Sequence, residues 1–392
     1  MILPAMICTN GRLIFPDRIE EGFSLRVAEG RIAEIAREIR APGEEVVDLG
    51  GNYLAPGFID LHVHGAMGHD TMEATEEAFR TIIDYHLGGG TTSLLLTTVT
   101  APIGQIVDAV TKIEAARRLF PQLRGAHVEG PFISRQKCGA QQAAFIVEPE
   151  PNLVRQLLEC RNTIRRLTLA PEVAGAADLV ERLTKIGIAA SAGHSNAWEE
   201  EARAAFDRGM HQVTHTFNCM SSLRRRGGER VAGLLEFALS EPKIFCELIA
   251  DGHHVGTTLM RMLYQAKGAE QICLVTDATA GAGLPDDSHF SLGGVQCIVR
   301  DGACWMADGS ALAGSAVRMI DVVRQMVKTV GIPLHEAVRM ATETPARAMN
   351  WRDKGLLEVG RDADLVVLTP ALQVACSFCH GTWSEHRRNV DP

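Results

Sequence analysis

The stretch Pro56-Gly-Phe-Ile-Asp-Leu-His62-Val-His64-Gly65 decides the reading of the fold. Its Phe58-Ile-Asp-Leu61 portion is a short apolar run between glycines, which is how a buried strand reads. Two histidines follow with one residue between them. Alternate residues of a strand share a face, so His62 and His64 present both imidazoles to one side. Such a pair is a metal-ligand arrangement when other strands supply partners.

Working outward, residues 92–96, 124–128, 167–170, 188–191, 212–215, 245–250 and 272–276 read as further strands. Residues 76–86, 103–120, 153–160, 176–186 and 198–208 read as helices between them, and 315–330 and 334–349 as helices after the last strand. Continuous apolar strands alternating with helices predict an α/β fold, a (β/α)8 TIM-type barrel buried on both faces of its sheet. Glu129, His194, His215 and Asp277 fall at the ends of four more of these strands, like His62 and His64 at the first. That is the C-terminal mouth, where such barrels carry their chemistry. Imidazoles with carboxylates are the ligand set of zinc, or of iron and similar divalent ions. His86, His127, His211 and His289 lack this placement and read as structural, and His69 as a loop residue.

The flanks have a different texture. Ile7-Cys-Thr-Asn-Gly11-Arg-Leu-Ile14 carries an Asn-Gly hairpin signal, and alternating runs at 24–27 and 30–35 surround a second turn. Residues 46–48 and 360–368 are also strand-like. A small β-sandwich domain built from both termini, 1–54 and 355–392, is therefore expected beside a catalytic barrel of 55–354.

The 392-residue chain has 39 basic and 48 acidic residues, a net charge of −9, which argues against nucleic acid as a partner. No apolar run approaches the length of a membrane span, and the N-terminus lacks a basic leader, so the expected location is cytoplasmic. Against the acidic background, Arg224, Arg225, Arg226 and Arg230 stand together, either as a solvated loop or as a holder for one phosphate. The ten cysteines are scattered and read as reduced, buried small side chains. Cys376-Ser-Phe-Cys379-His380 matches a haem-attachment spacing but reads better as a strand and turn.

With these residues laid out, the chain resembles the N-acetylglucosamine-6-phosphate deacetylases of the amidohydrolase superfamily over nearly its whole length. Beside the opening motif, the landmarks are His127-Val-Glu129-Gly-Pro-Phe132, Gly139-Ala-Gln141, Ser191-Ala-Gly-His194-Ser-Asn196, Thr214-His215-Thr-Phe-Asn218 and Ala250-Asp-Gly-His-His254. Val275-Thr-Asp277-Ala-Thr-Ala280, Leu312-Ala-Gly-Ser315 and Met340-Ala-Thr-Glu-Thr-Pro-Ala-Arg347 complete them. The resemblance implies that Glu129, His194 and His215 hold the metal every member keeps. It implies that His62 and His64 belong to a second site, with Glu129 bridging and Asp277 as the catalytic carboxylate. The cofactor is thus one or two divalent ions per subunit, zinc first, iron or another ion as alternatives.

His254, Asn218, Cys219, Ala140 and Gln141 match positions that hold the sugar and its phosphate, and Leu312, Ala313 and Gly314 a backbone stretch lining the sugar pocket. The family's stretch ending Arg-Glu-Pro-Gly, whose Arg reaches phosphate across a dimer interface, is replaced here by Cys219-Met-Ser-Ser-Leu-Arg224-Arg-Arg226-Gly-Gly-Glu-Arg230. Arg226 matches best, and Arg225 and Arg230 remain candidates in a homodimer.

The implied reaction converts N-acetyl-D-glucosamine 6-phosphate to D-glucosamine 6-phosphate and acetate. A metal-bound hydroxide would attack, with Asp277 as general base and acid and His254 on the oxyanion. The alternatives are a deacetylase of N-acetylgalactosamine 6-phosphate or another N-acyl sugar phosphate, a different amidohydrolase, and a non-catalytic assembly protein on the same barrel.

Overall fold

A computed structural model describes residues 5–383, so residues 1–4 and 384–392 of the expected small domain lie outside the described residues. Eight parallel strands form the barrel: Phe58–Val63 (β1), Thr91–Thr98 (β2), Leu123–Glu129 (β3), Ile164–Leu169 (β4), Ala189–Ala192 (β5), Gln212–Val213 (β6), Phe245–Ile249 (β7) and Ile272–Val275 (β8). They pair in sequence order from β1 to β8. Closure between β8 and β1 is made by a bridge of Val63 to Ala278 and by the Asp277 N–H, which donates to the His62 carbonyl at 2.9 Å. Every residue of β1 and β2 is buried, as expected of strands covered on one face by barrel contents and on the other by helices.

Helices cover the barrel largely where the apolar periodicity put them, at Glu76–Leu87, Ile103–Ala116, Ala176–Lys185 and Glu199–Phe206 among others. Two expectations need correction. The helix expected from 315 begins only at Met319, because Ser315 is committed to the barrel mouth. Its N–H donates to the Asp277 carbonyl at 2.8 Å and its hydroxyl to the Thr276 carbonyl at 2.5 Å. The helix expected over 334–349 is two, Leu334–Met340 and Glu343–Ala348. Pro345 has no N–H to bond the carbonyl of Ala341, so one continuous ladder is impossible.

The terminal strands make one sheet ordered Thr382–Trp383, Val374–Cys379, Leu365–Leu368, Tyr53–Pro56, Met6–Ile14, Ile19–Ala28 and Arg31–Ala36, with Glu45–Asp48 also pairing Met6–Ile14. Leu25, Val27, Leu54, Val367 and Phe378 share one buried cluster, so the sheet folds over a core of its own. Asn10-Gly11 is not a hairpin turn. Met6–Ile14 runs straight through it and pairs with one partner strand on both sides, leaving a register shift at Gly11. Asn10 adopts φ 54°, and a Cβ on Gly11 would lie 2.4 Å from Leu49 Cδ1, so the pair forms a β-bulge. The first hairpin turn is residues 15–18, where Ile14 pairs with Ile19 and the Phe15 N–H donates to the Arg18 carbonyl at 2.9 Å, and the second is Glu29-Gly30, with both φ positive.

After β8 comes a three-stranded sheet that no sequence expectation covered, His289–Leu292, Val295–Arg300 and Ala303–Met306. It packs Phe290, Leu292, Cys297 and Val299 beside Ala280 and Ala313, which sets the 311–314 stretch against the barrel mouth. Among the described residues no helix is long and apolar enough to cross a membrane.

Candidate active site

The six ligand candidates meet at the C-terminal mouth. His62 lies within β1 and His64 just beyond it, Glu129 ends β3, and His194, His215 and Asp277 each stand two residues past β5, β6 and β8. The last three adopt left-handed backbone, φ 47°, 31° and 50°. A non-glycine residue holds such a conformation only where its surroundings impose it, and functional sites are where such strain collects.

Two groups result: His62, His64 and Asp277, and Glu129, His194 and His215, all six buried. His62 Nε2 lies 3.1 Å from His64 Nε2, and His194 Nε2 lies 3.1 Å from His215 Nε2. Asp277 Oδ1 is 3.3 Å from Nε2 of both His62 and His64. Glu129 stands between the groups: Oε1 is 3.1 Å from His215 Nε2, 3.3 Å from His194 Nε2 and 3.4 Å from His62 Nε2, and Oε2 is 3.3 Å from His64 Nε2.

These contacts fit a metal. An ion with tetrahedral bonds of about 2.0–2.1 Å separates its ligand atoms by about 3.3 Å. The outward nitrogens of two ligand histidines are already occupied: His194 Nδ1 donates to the Lys137 carbonyl at 2.9 Å and His62 Nδ1 faces Glu247 Oε2 at 3.2 Å. Their Nε2 lone pairs are thereby left facing inward.

The electrostatics follow from crowding. Burial opposes ionisation of Glu129, yet His62 and His194 outweigh it and hold its carboxyl well below the usual range. Burial likewise opposes charge on Asp277, but His62 and His64 bring it down to about 2. Burial opposes a proton on His64, and Asp277 and Glu129 push its pKa up to about 9. Other buried histidines shift the opposite way, and burial lowers His215 too despite its contact with Glu129. Burial takes His86 down to about 4, and burial with the neighbouring His62 takes His127 well below its usual value. His127 packs edge-on against the His62 ring and bonds Thr168 and Thr97, a supporting role. His69, in the short strand His69–Asp70, pairs with Glu73, and His211 packs edge-on against Phe206.

A cavity of about 240 Å³ opens over the ligands. Ala140, Gln141, Asn218, Cys219, His254, Leu312 and Gly314 line it with Asp277. Ala313 turns inward and is buried against the three-stranded sheet. Gln141 is partly committed already: its Nε2 donates to Glu129 Oε2 at 2.6 Å, and its Oε1 accepts the Thr100 N–H at 2.6 Å. His254 is held from behind. Asp251 Oδ2 accepts from its Nδ1 at 2.7 Å, while Oδ1 accepts the backbone N–H of both His253 and His254. Burial disfavours charge on His254, but Asp251 raises its pKa above the ordinary value.

Arg226 is not among the lining residues. Arg224–Arg226 and Glu229–Val231 form a two-stranded ribbon turned by Gly227-Gly228. Arg226 ion-pairs with Glu200, and both it and Arg224 lie over the Trp198 ring. Arg225 and Arg230 face each other across the ribbon, exposed.

The Cys376/Cys379 segment is the strand Val374–Cys379 with a turn at His380-Gly381. Cys376 belongs to the core of the terminal sheet, whereas Cys379 Sγ faces the Thr92 carbonyl at 3.6 Å. The pair therefore does not converge.

The amidohydrolase family matches residues 53–383. The N-acetylglucosamine-6-phosphate deacetylase of Lysinibacillus sphaericus is 33% identical over 375 residues, 94% of this chain and 95% of that protein. The chain belongs to the N-acetylglucosamine-6-phosphate deacetylase family of amidohydrolases. An N-acetylgalactosamine-6-phosphate deacetylase of Escherichia coli O157:H7 is 34% identical over 371 residues, 92% of this chain and 96% of that protein. A mutant N-acetyl-D-glucosamine-6-phosphate deacetylase of Mycobacterium smegmatis, solved in complex with N-acetyl-D-glucosamine-6-phosphate, superposes with a TM-score of 0.90 at 30% identity, covering 98% of this chain and 100% of that one.

Sequence reasoning assigned no role in this amidohydrolase to Arg166, Glu247 or Asp251. A signal existed for two of them. Arg166 and Glu247 are charged residues inside strands whose neighbours are apolar, and a charge is almost never fully buried unless paired. Asp251 sits three residues before His254, a spacing that gave no separate indication.

Proposed function

We propose that this chain hydrolyses the acetamide of N-acetyl-D-glucosamine 6-phosphate to D-glucosamine 6-phosphate and acetate, with divalent ions, zinc first, that His62, His64 and Asp277 and Glu129, His194 and His215 would hold. The observation that carries this reading is the convergence of both groups beneath one cavity whose wall presents Asp277 and His254. An ion bound there supplies Lewis acidity and lowers the pKa of water. Asp277 accepts the proton of the attacking water and returns it to the amine nitrogen as the C–N bond breaks. His254, its Nδ1 anchored on Asp251, offers Nε2–H to the developing oxyanion.

Among the described residues no Lys or Arg lines the cavity. Cationic donors hold a phosphate group most strongly, and the Arg225/Arg230 pair can supply them from the partner subunit of a homodimer. Two like charges directly opposite on a ribbon repel, a cost that an anion between them would relieve.

A galacto substrate is the second reading, favoured by the altered ribbon and by the similar identity to the Escherichia coli relative. Acetate release from the gluco and galacto 6-phosphates and from unphosphorylated N-acetylglucosamine, after zinc loading, separates the readings. The gluco 6-phosphate is expected to react fastest. The unphosphorylated sugar should fall at least about 10²-fold in kcat/KM, the worth of one or two charged hydrogen bonds. Preference for the galacto epimer would replace the substrate, and no acetate from any of the three would overturn the reading.

A further inference from the structure

Barrel interiors are filled mostly by Val, Ile and Leu, but beneath this metal cavity lies a buried ion pair between Arg166 of β4 and Glu247 of β7. Arg166 is fully enclosed, and its guanidinium also donates to Ser191 Oγ at 2.7 Å. Ser191 and Thr168 hydroxyls each lie 2.7 Å from Thr214 Oγ1, continuing the polar layer across β4, β5 and the end of β6. A buried pair is weak evidence for stability, since apolar residues of similar size often do as well or better. Its position suggests another use.

Glu247 Oε1 faces Arg166, and Oε2 receives the His215 backbone N–H at 3.1 Å and lies 3.2 Å from His62 Nδ1. Among the four ligand histidines, only His62 has its outward nitrogen against a carboxylate. A carboxylate facing Arg166 and a backbone N–H acts as acceptor only, so the proton of His62 sits on Nδ1 and the lone pair of Nε2 points at His64 and Asp277.

We propose that the Arg166–Glu247 pair is a positioning device for the second metal: it fixes the tautomer and ring orientation of His62 and so completes the His62–His64–Asp277 group. The Glu129–His194–His215 group depends on it less, because His194 is oriented by the Lys137 carbonyl and the His215 N–H can bond any oxygen at that place. A glutamine at 247 offers an oxygen or an NH2. In the second orientation it would drive the His62 proton onto Nε2, where it blocks the ion.

The inference rests on the two-metal reading above, and its test reads metal rather than turnover. Zinc binding to metal-stripped protein is followed by competition with a chromophoric chelator, with zinc per chain measured after dialysis. Wild type should bind two equivalents, and His64→Asn should identify the second by losing it. Glu247→Gln should keep the first equivalent at wild-type affinity and weaken the second by about 10- to 100-fold, the usual effect of removing a partner behind a ligand. The double variant Arg166→Met/Glu247→Gln, which leaves no orphaned charge, should show the same split if the single variant folds poorly.

Equal weakening of both equivalents in a folded variant, or no weakening, overturns the inference, as does a wild type that binds only one. Each of those results leaves the deacetylase reading standing if acetate is still released. Absence of acetate release with the split intact would remove that reading and keep the inference.

Discussion

Asp277 combines two demands that pull in opposite directions. As the proposed general base it must stay ionised in a buried site, and it holds left-handed backbone, which costs about 1–3 kcal/mol at a non-glycine residue. The histidines beside it meet the first demand and the bonds of its N–H to His62 and its carbonyl to Ser315 meet the second. Asp277→Asn preserves size and bonding but removes basicity. Its kcat should fall by about 10³-fold or more, within or beyond the usual range for a general base, while its thermal melt and its first equivalent of metal remain. Turnover within tenfold of wild type would remove Asp277 from the role.

The same crowding makes metal uptake pH-dependent. Against burial, His64 is pushed up to about 9 by Asp277 and Glu129 and resists losing its proton when no ion is bound, and His194 is raised in the same direction by Glu129. Metal must displace those protons, so zinc affinity should rise from pH 6 toward 9, by about tenfold per unit for each proton released. A dye assay in weak buffer would see the protons directly, and an affinity flat across that range would contradict the assignment.

At the scale of elements, strands were legible because burial on both faces forces an apolar run, and all eight barrel strands lie where those runs stand. The Asn10-Gly11 bulge was misread because the same dipeptide serves a turn or a bulge according to whether the flanking segments pair with each other or with a common neighbour. The break before Pro345 was written in the sequence; the late start at Met319 was not, since it depends on what Ser315 touches.

Gly193 shows how tightly strand ends fix the ligands. A Cβ there would meet Thr168 Cγ2 and Thr214 Cβ, each at 2.7 Å, directly before His194. Gly193→Ala should therefore lose about 1–3 kcal/mol of stability by overpacking and weaken metal binding with it. Differential scanning calorimetry and zinc content check the two effects, and a variant with unchanged melting temperature would show that the β5 end can yield.

At the scale of the whole molecule, among the described residues no Lys or Arg lines the cavity, and Arg225 and Arg230 stand exposed opposite each other on a surface ribbon. Complementation tests whether these belong together. Asp277→Asn subunits and Arg225→Ala/Arg230→Ala subunits should each be poorly active, and mixed dimers formed by co-expression should regain activity. A hybrid subunit with intact Asp277 would then receive its cation from the partner. A mixture no better than its components would place the phosphate contacts within one chain.

The sequence by itself determined the barrel, its C-terminal mouth and the six candidate ligands gathered there, because each rests on a local rule: apolar runs make strands, alternate residues share a face, and barrel chemistry gathers at strand C-termini. Only the tertiary structure decided that Glu129 stands between two ligand groups, that Arg226 is spent on Glu200 and Trp198, and that Arg166 and Glu247 meet beneath His62. Those contacts join residues 26 to 185 positions apart, and which of many possible partners a side chain meets is set by closure of the barrel rather than by its neighbours in the chain.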